Sequence, residues 1–118
     1  MSSDDAEPRI TPRELLARIE AGTAPPVLDV RSRAEYEQGH VPGARHLPFW
    51  SVVVRREEVS ALGEGPVVVY CGDGPRAEMA ALALRLGGVR HVQLLEGHMR
   101  GWTRTGLPEE GGRPGRSA

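Results

Sequence analysis

The chain of 118 residues is long enough for one compact domain and too short for two domains of ordinary size. With 39% hydrophobic residues, 26% charged residues and a net charge of -1, it has a globular composition and no sequence-wide basic field for nucleic acid or acidic membranes. The longest apolar run, Val67 to Cys71, is far shorter than the ~20 residues of a membrane span, and Met1 to Arg9 lacks the regions of a signal peptide. We therefore expect a cytoplasmic protein with neither nucleic acid nor membrane as a partner.

Both ends of the chain have the composition of flexible segments. The N-terminus is small and acidic, and the C-terminus is rich in glycine without apolar periodicity. The sequence thus predicts a disordered N-terminus over residues 1–9, a folded domain over residues 10–108 and a flexible tail over residues 109–118.

Helices and strands alternate from the start of the folded part. Thr11 and Glu14 have the spacing of a capping box, which predicts a helix that begins there and stops at Gly22. A short buried strand is predicted for residues 27–30.

A second capping box, Ser32 with Glu35, predicts a short helix that ends at Gly39. A short strand follows at residues 44–47. For residues 48–62 we favour a helical connection.

The second half contains the clearest strand, Val67 to Tyr70, which is rich in β-branched residues. A helix is predicted over residues 75–86, followed by a strand at 92–95 and a last helix at 97–105. In the helix over residues 75–86, four apolar residues are predicted to lie on one face, namely Met79, Leu82, Ala83 and Leu86. The alternation predicts a mainly parallel sheet covered on both faces, with ligands beyond the carboxyl ends of its strands.

The only cysteine, Cys71, stands at the end of the clearest strand. A lone cysteine is either a buried apolar residue or a reactive thiol. Gly72 and Gly74 allow the chain to curl so that backbone N–H groups point inward, and Arg76 adds a permanent charge. With the N-terminus of the following helix, such a loop stabilises a sulfur anion, although Pro75 supplies no N–H group.

Three stretches of the sequence resemble the signatures of rhodanese domains, in the same order. The central one is the cysteine loop, Cys71 to Ala77, with glycine three and arginine five residues after the cysteine. The other two are similar to the N-terminal and C-terminal signatures, and they comprise Leu28 to Arg31 with Glu35, Tyr36 and Gly39 to Ala44, and Leu95 to Gly97 with Trp102 and Gly106 to Pro108.

The resemblance implies a rhodanese-like α/β fold, a five-stranded mainly parallel sheet with helices on both faces. It also implies a thiosulfate sulfurtransferase that needs no cofactor and no metal. Catalytic Cys71 would take a sulfane sulfur from thiosulfate or a persulfide and, as a Cys71 persulfide, pass it to cyanide or a thiol. A protein can serve as sulfur donor or acceptor in the same scheme. The expected substrate-binding residues are Gly72, Asp73, Gly74, Pro75, Arg76 and Ala77.

Three charged residues before the loop are interpreted as structural support. Asp29 lies in a short apolar strand, where a structural hydrogen-bonding role is expected. Arg31 and Glu35 could form an ion pair that frames the site, but local structural support is the favoured role for both. The four histidines and the cysteine show no metal-ligand spacing, so no metal site is predicted.

Three residues depart from the rhodanese pattern, and one of them is His46, which stands where asparagine is frequent. His98 stands where many rhodanese domains have a second glycine, a position that histidine can still occupy at positive φ. Asp73 places a negative charge in the loop, which should weaken the attraction for doubly charged thiosulfate. His46, His91 and His98 are candidates for a base acting on Cys71, but a thiolate stabilised by its loop needs none.

Two alternatives to sulfur transfer stay open. One is a regulatory or protein-binding module that keeps the fold, against which the intact cysteine, glycines and arginine argue. The other is an oxyanion enzyme related to phosphatases and arsenate reductases, in which arginine follows cysteine by six residues instead of the five seen between Cys71 and Arg76.

Overall fold

One parallel sheet organises the chain, which a computed structural model describes over residues 8–63 and 65–111. The strands lie in the order β1-β5-β4-β2-β3, and all neighbours are parallel. They are β1 (Arg9–Ile10), β2 (Val27–Asp29), β3 (Arg45–His46), β4 (Val67–Tyr70) and β5 (Val92–Leu95). The helices are α1 (Pro12–Glu20), α2 (Arg33–Gln38), α3 (Arg56–Ser60), α4 (Pro75–Leu86) and α5 (His98–Thr105). The predicted fold class is confirmed.

Strand β4 is central and fully buried, and it separates two apolar clusters because successive side chains point to opposite faces. Val67 and Val69 pack in one cluster with residues of α3 and α4. Val68 and Tyr70 pack in the other with residues of α1 and α5, including the fully buried Trp102. The helices therefore cover both faces, and the carboxyl end of β4 lies at the middle of the sheet edge.

Both predicted capping boxes are present. The Thr11 hydroxyl accepts from the Glu14 backbone N–H at 3.1 Å, and the Ser32 hydroxyl accepts from that of Glu35 at 3.2 Å. Each glutamate carboxylate accepts in return from the N–H of its cap residue. These bonds fix where α1 and α2 begin, because they satisfy N–H groups that the first helical turn leaves free.

The segment between β3 and β4 is a helical connection, as predicted. It consists of a 3-10 helix at Phe49–Ser51 and of α3. Val52 is buried, whereas Trp50 and Val54 are exposed.

The face predicted for α4 is wrong for three of its four residues, and only Ala83 is partly buried against the core. Met79, Leu82 and Leu86 are 61%, 56% and 80% exposed. The buried face is one of small residues with a single leucine, namely Ala77, Ala80, Ala81 and Leu84. The helix begins at Pro75, within the cysteine loop, so the loop geometry decides which face of the helix meets the sheet. Alanine side chains allow the helix to lie close to the sheet.

Two backbone contacts involve residues just outside the range 10–108. Arg9 pairs with Leu94 in the sheet, and the backbones of His40 and Glu110 exchange two hydrogen bonds of 2.9 Å. The rest of the predicted terminal segments, residues 1–7 and 112–118, lies outside the described residues. Within residues 8–63 and 65–111, no helix is long and apolar enough to span a membrane.

Candidate active site

Cys71 directly follows β4, at the carboxyl edge of the sheet where ligands of parallel α/β proteins bind. Its side chain is fully buried. The cysteine loop turns from this point into α4, so that Gly72 is half-buried and Asp73 is exposed. Pro75 is the first residue of the helix, and Ala77 is buried in its first turn.

The sulfur of Cys71 receives a backbone hydrogen bond. The N–H group of Gly74 lies 3.0 Å from Sγ. Gly74 has a φ of 139°, a conformation that side-chain-bearing residues rarely adopt, so this position requires glycine. A backbone donor aimed at the sulfur stabilises negative charge there, on a thiolate or on a persulfide.

Arg76 supplies the positive charge of the site. Its Nη1 and Nη2 atoms donate to the Glu35 carboxylate at 2.7 and 3.1 Å. The hydrogen bonds from Arg76 lower the pKa of Glu35 to about 2, and those same bonds raise the pKa of Arg76. A Cβ atom on Gly72 would lie 3.3 Å from Nη2, so the guanidinium lies against the loop backbone.

Arg31 and Glu35 have different partners in the structure and do not form the ion pair that was the alternative to structural support. Arg31 instead forms a buried ion pair with Asp29, with Nη2 and Oδ2 2.7 Å apart, and also donates to the carbonyl of Gly39. Residues two apart at the end of an extended strand project to the same side, which brings the Arg31 and Asp29 side chains together. Glu35, in the first turn of α2, is left free to reach the cysteine loop.

Asp29 lies at the centre of a buried hydrogen-bond network. Its carboxylate accepts from the backbone and guanidinium of Arg31 and, at 2.7 Å, from the Tyr70 hydroxyl. The Tyr70 hydroxyl in turn accepts from the Val41 N–H. Burial and the neighbouring Asp29 raise the pKa of Tyr70, which stays a neutral donor. All the Asp29 partners found among the described residues are structural ones, since they tie β2 to β4 and to the turn at Val41.

The sequence matches a known protein family over most of its length. The family profile of the rhodanese-like domain matches residues 11–105. The chain belongs to this family. Members of the family that resemble this chain include a thiosulfate sulfurtransferase and a putative sulfur carrier protein.

Relatives of this rhodanese-like domain include a sulfurtransferase, a putative sulfur carrier and a transcriptional regulator. A thiosulfate sulfurtransferase of Pseudomonas fluorescens is 33% identical over 86% of the chain and 89% of its own length. A putative sulfur carrier protein of Bacillus subtilis is 33% identical over 86% of the chain, and a helix-turn-helix transcriptional regulator of Mycobacterium tuberculosis is 38% identical over 92%. The chain spans about half the length of the last two, at 55% and 47%.

The same fold occurs in solved structures. The solution structure of a rhodanese-like domain from Anabaena has a TM-score of 0.80 and 33% identity, and the match covers 94% of this chain and 84% of that one.

Of the three candidate bases, only His98 contacts Cys71 in this rhodanese-like domain. It does so through Nδ1, which accepts from the Cys71 backbone N–H at 3.2 Å and not from the sulfur. His46 bonds to the carbonyl of Arg31, and His91 is exposed. The φ of His98 is 54°, in agreement with the positive φ expected at this position. The hydrogen bond from the Cys71 N–H to His98 was not predicted. The only hint of it in the sequence is that histidine replaces a glycine there.

The described residues also contain no cluster suited to a metal ion. No group of three or more His, Cys, Asp or Glu side chains converges within residues 8–63 and 65–111.

Proposed function

We propose that this domain transfers sulfane sulfur through a persulfide on Cys71. The observation that carries the proposal is the Gly74 N–H group 3.0 Å from Cys71 Sγ, in a loop that ends at the N-terminus of α4. The charge of Arg76, fixed by Glu35 beside the loop, supports the same assignment. Together they form a cradle for one anionic sulfur atom.

The first half-reaction loads the cysteine. The Cys71 thiolate attacks the outer sulfur of thiosulfate, a new S–S bond forms, and the original S–S bond breaks as sulfite leaves with the electron pair. The product is a Cys71 persulfide anion. A persulfide donor reacts in the same way, with a thiolate as the leaving group.

The second half-reaction unloads it. Cyanide, or an acceptor thiolate, attacks the terminal sulfur, the S–S bond to Cys71 breaks, and the Cys71 thiolate is restored. Cyanide leaves as thiocyanate and a thiolate leaves as a persulfide. Neither half needs a net proton transfer, so neither requires a histidine base.

Two relatives indicate the class of donor and acceptor. The Pseudomonas fluorescens protein is described as a thiosulfate sulfurtransferase and the Bacillus subtilis protein as a putative sulfur carrier. We extend to this chain the small-molecule donor of the first and the sulfur-carrying role of the second. The proposed substrates are therefore thiosulfate or a persulfide as donor, and cyanide, a small thiol or a protein thiol as acceptor.

Intact-protein mass spectrometry tests the proposal. The wild type is incubated with thiosulfate and then with cyanide, beside the variant Cys71→Ser. We expect the mass of one sulfur atom to be added to the wild type, to be removed by cyanide and never to appear on the variant. The thermal unfolding of Cys71→Ser serves as the control that the variant is folded.

Other results would reject the assignment. Sulfur added to Cys71→Ser would show that another group carries it. No added sulfur on the wild type, with either thiosulfate or a persulfide donor, would favour the alternative of a regulatory or protein-binding module.

A further inference from the structure

The first turn of α5, His98 to Arg100, binds the peptide groups on both sides of the Cys71 side chain. The Cys71 N–H donates to His98 Nδ1 at 3.2 Å, and the Cys71 carbonyl accepts from the Met99 N–H at 2.9 Å. The next carbonyl, of Gly72, accepts from the Arg100 N–H at 3.0 Å. Two of these three bonds use backbone groups that any residue would supply, but the acceptor of the first is a side chain.

Histidine at position 98 is therefore more than a tolerated replacement. Its φ of 54° is a conformation open mainly to glycine and asparagine, with histidine among the few other residues found there. Its side chain is almost completely buried. Among the described contacts, this ring nitrogen is the only acceptor for the Cys71 N–H, and no backbone carbonyl takes its place.

We propose that neutral His98 is a positioning residue, which accepts the Cys71 N–H at Nδ1 and thereby fixes the direction in which the Cys71 side chain projects into its loop. An acceptor nitrogen carries no proton, so the ring proton lies on Nε2. A Cβ atom built on Gly74 would lie 3.6 Å from Nε2 and 3.7 Å from Oε2 of Glu78, so a carboxylate borders the same space. That carboxylate favours a proton on Nε2.

Protonation of His98 would remove the acceptor, because both ring nitrogens would then be donors. The charged groups that act on the ring come from three elements. Burial lowers its pKa and Arg9 of β1 acts in the same direction, whereas Glu78 of α4 and Asp73 of the loop act in the opposite one. The pKa of His98 falls below its ordinary value of 6.5, so the ring is neutral at pH 7 and loses this function only on acidification.

Two variants and one control separate positioning from general stability. His98→Gly keeps the backbone conformation and removes the acceptor. His98→Asn also accepts positive φ and offers Oδ1 near the place of Nδ1. The control is His91→Asn, since His91 is exposed and lies before β5.

The first readout is NMR spectroscopy of the resting protein. We expect the ring nitrogen shifts of His98 at pH 7 to show an unprotonated Nδ1, and the Cys71 amide signal to move with the titration of His98 below pH 6.5. Amide exchange of Cys71 should be about fivefold faster in His98→Gly and close to wild type in His98→Asn and His91→Asn.

The second readout rests on the proposed function. The kcat/KM of sulfur loading should fall about fivefold in His98→Gly, with recovery in His98→Asn. If no protein, wild type included, takes up sulfur, the proposed function fails while the NMR result still decides the role of His98. A protonated Nδ1 at pH 7, or an His98→Asn variant as impaired as His98→Gly, would overturn the inference.

Discussion

The Glu35 carboxylate accepts two hydrogen bonds, of 2.7 and 3.1 Å, from the guanidinium of Arg76, which lies 41 positions further along the sequence. The same Oε1 atom accepts the backbone N–H of Ser32 at 3.0 Å and so completes the capping box of α2. One carboxylate thus fixes the start of a helix and the position of the cation at the cysteine loop. A substitution of Glu35 should therefore affect both the start of α2 and the position of Arg76.

The charge of Glu35 should stabilise the fold in a pH-dependent way. The bonds from Arg76 place the pKa of Glu35 at about 2, below its ordinary value of 4.5. A lowered pKa in the folded state gives stability that is present above pH 4.5 and is lost as the pH falls toward 2. We expect Glu35→Gln, which can keep the cap, to lower the free energy of unfolding by about 0.5–1 kcal/mol at pH 7, because the pair is partly exposed.

Urea unfolding of the wild type and Glu35→Gln at several pH values measures this difference. The difference in free energy of unfolding between the two proteins should become smaller as the pH is lowered from 4.5 toward 2. A gap that is constant with pH would mean that the carboxylate charge contributes nothing and that only the shape of the side chain matters.

Arg76 should matter for loading sulfur and little for folding. Replacing it with alanine removes the positive charge beside the anionic sulfur, and we expect the kcat/KM for thiosulfate to fall about 10- to 100-fold. The chain offers a matched control in Arg55, an exposed residue that directly precedes α3. Its guanidinium donates two hydrogen bonds of 2.8 Å to the exposed Glu58 carboxylate. Steady-state kinetics of Arg76→Ala and Arg55→Ala should therefore differ sharply, and equal effects would contradict the assignment.

Asp73 should select against doubly charged donors. It is exposed in the loop, and it forms no ion pair within the described residues. We expect Asp73→Asn to improve the kcat/KM for thiosulfate about 3- to 10-fold at low ionic strength, because it removes a Coulomb repulsion, and to improve the kcat/KM for a singly charged persulfide donor less.

The control for Asp73 is Glu57→Gln, which removes an exposed carboxylate on α3. A gain in kcat/KM that is the same for the doubly and the singly charged donor, or one that persists at high salt, would show that Asp73 acts through loop shape and not through charge.

The face of α4 can be tested with one chemical change at two places. Leu84 is fully buried and Leu86 is 80% exposed. Leu84→Ala should lower the free energy of unfolding by about 2–5 kcal/mol through the lost burial and the cavity left behind. Leu86→Ala should change it by no more than about 0.5 kcal/mol. Denaturant unfolding measures both, and the reverse order would restore the face predicted from the sequence.

Much of the fold was predictable because its signals are local. The capping boxes at Thr11 and Ser32 need residues only three positions apart, and the strand at Val67 to Tyr70 follows from its β-branched run. The cysteine loop was recognisable for the same reason, since its glycines and arginine lie within five residues of Cys71.

Three features required the tertiary structure. The partner of Glu35 is Arg76 and not Arg31, the buried face of α4 is its alanine face, and the Cys71 N–H is bound by His98. Each joins parts of the chain that only the packing of helices on the sheet brings together. The order of residues thus determined which segments form helices, strands and the cysteine loop, whereas the packed sheet decided which charges pair and which groups surround the sulfur, because contacts between distant segments exist only after the chain has folded.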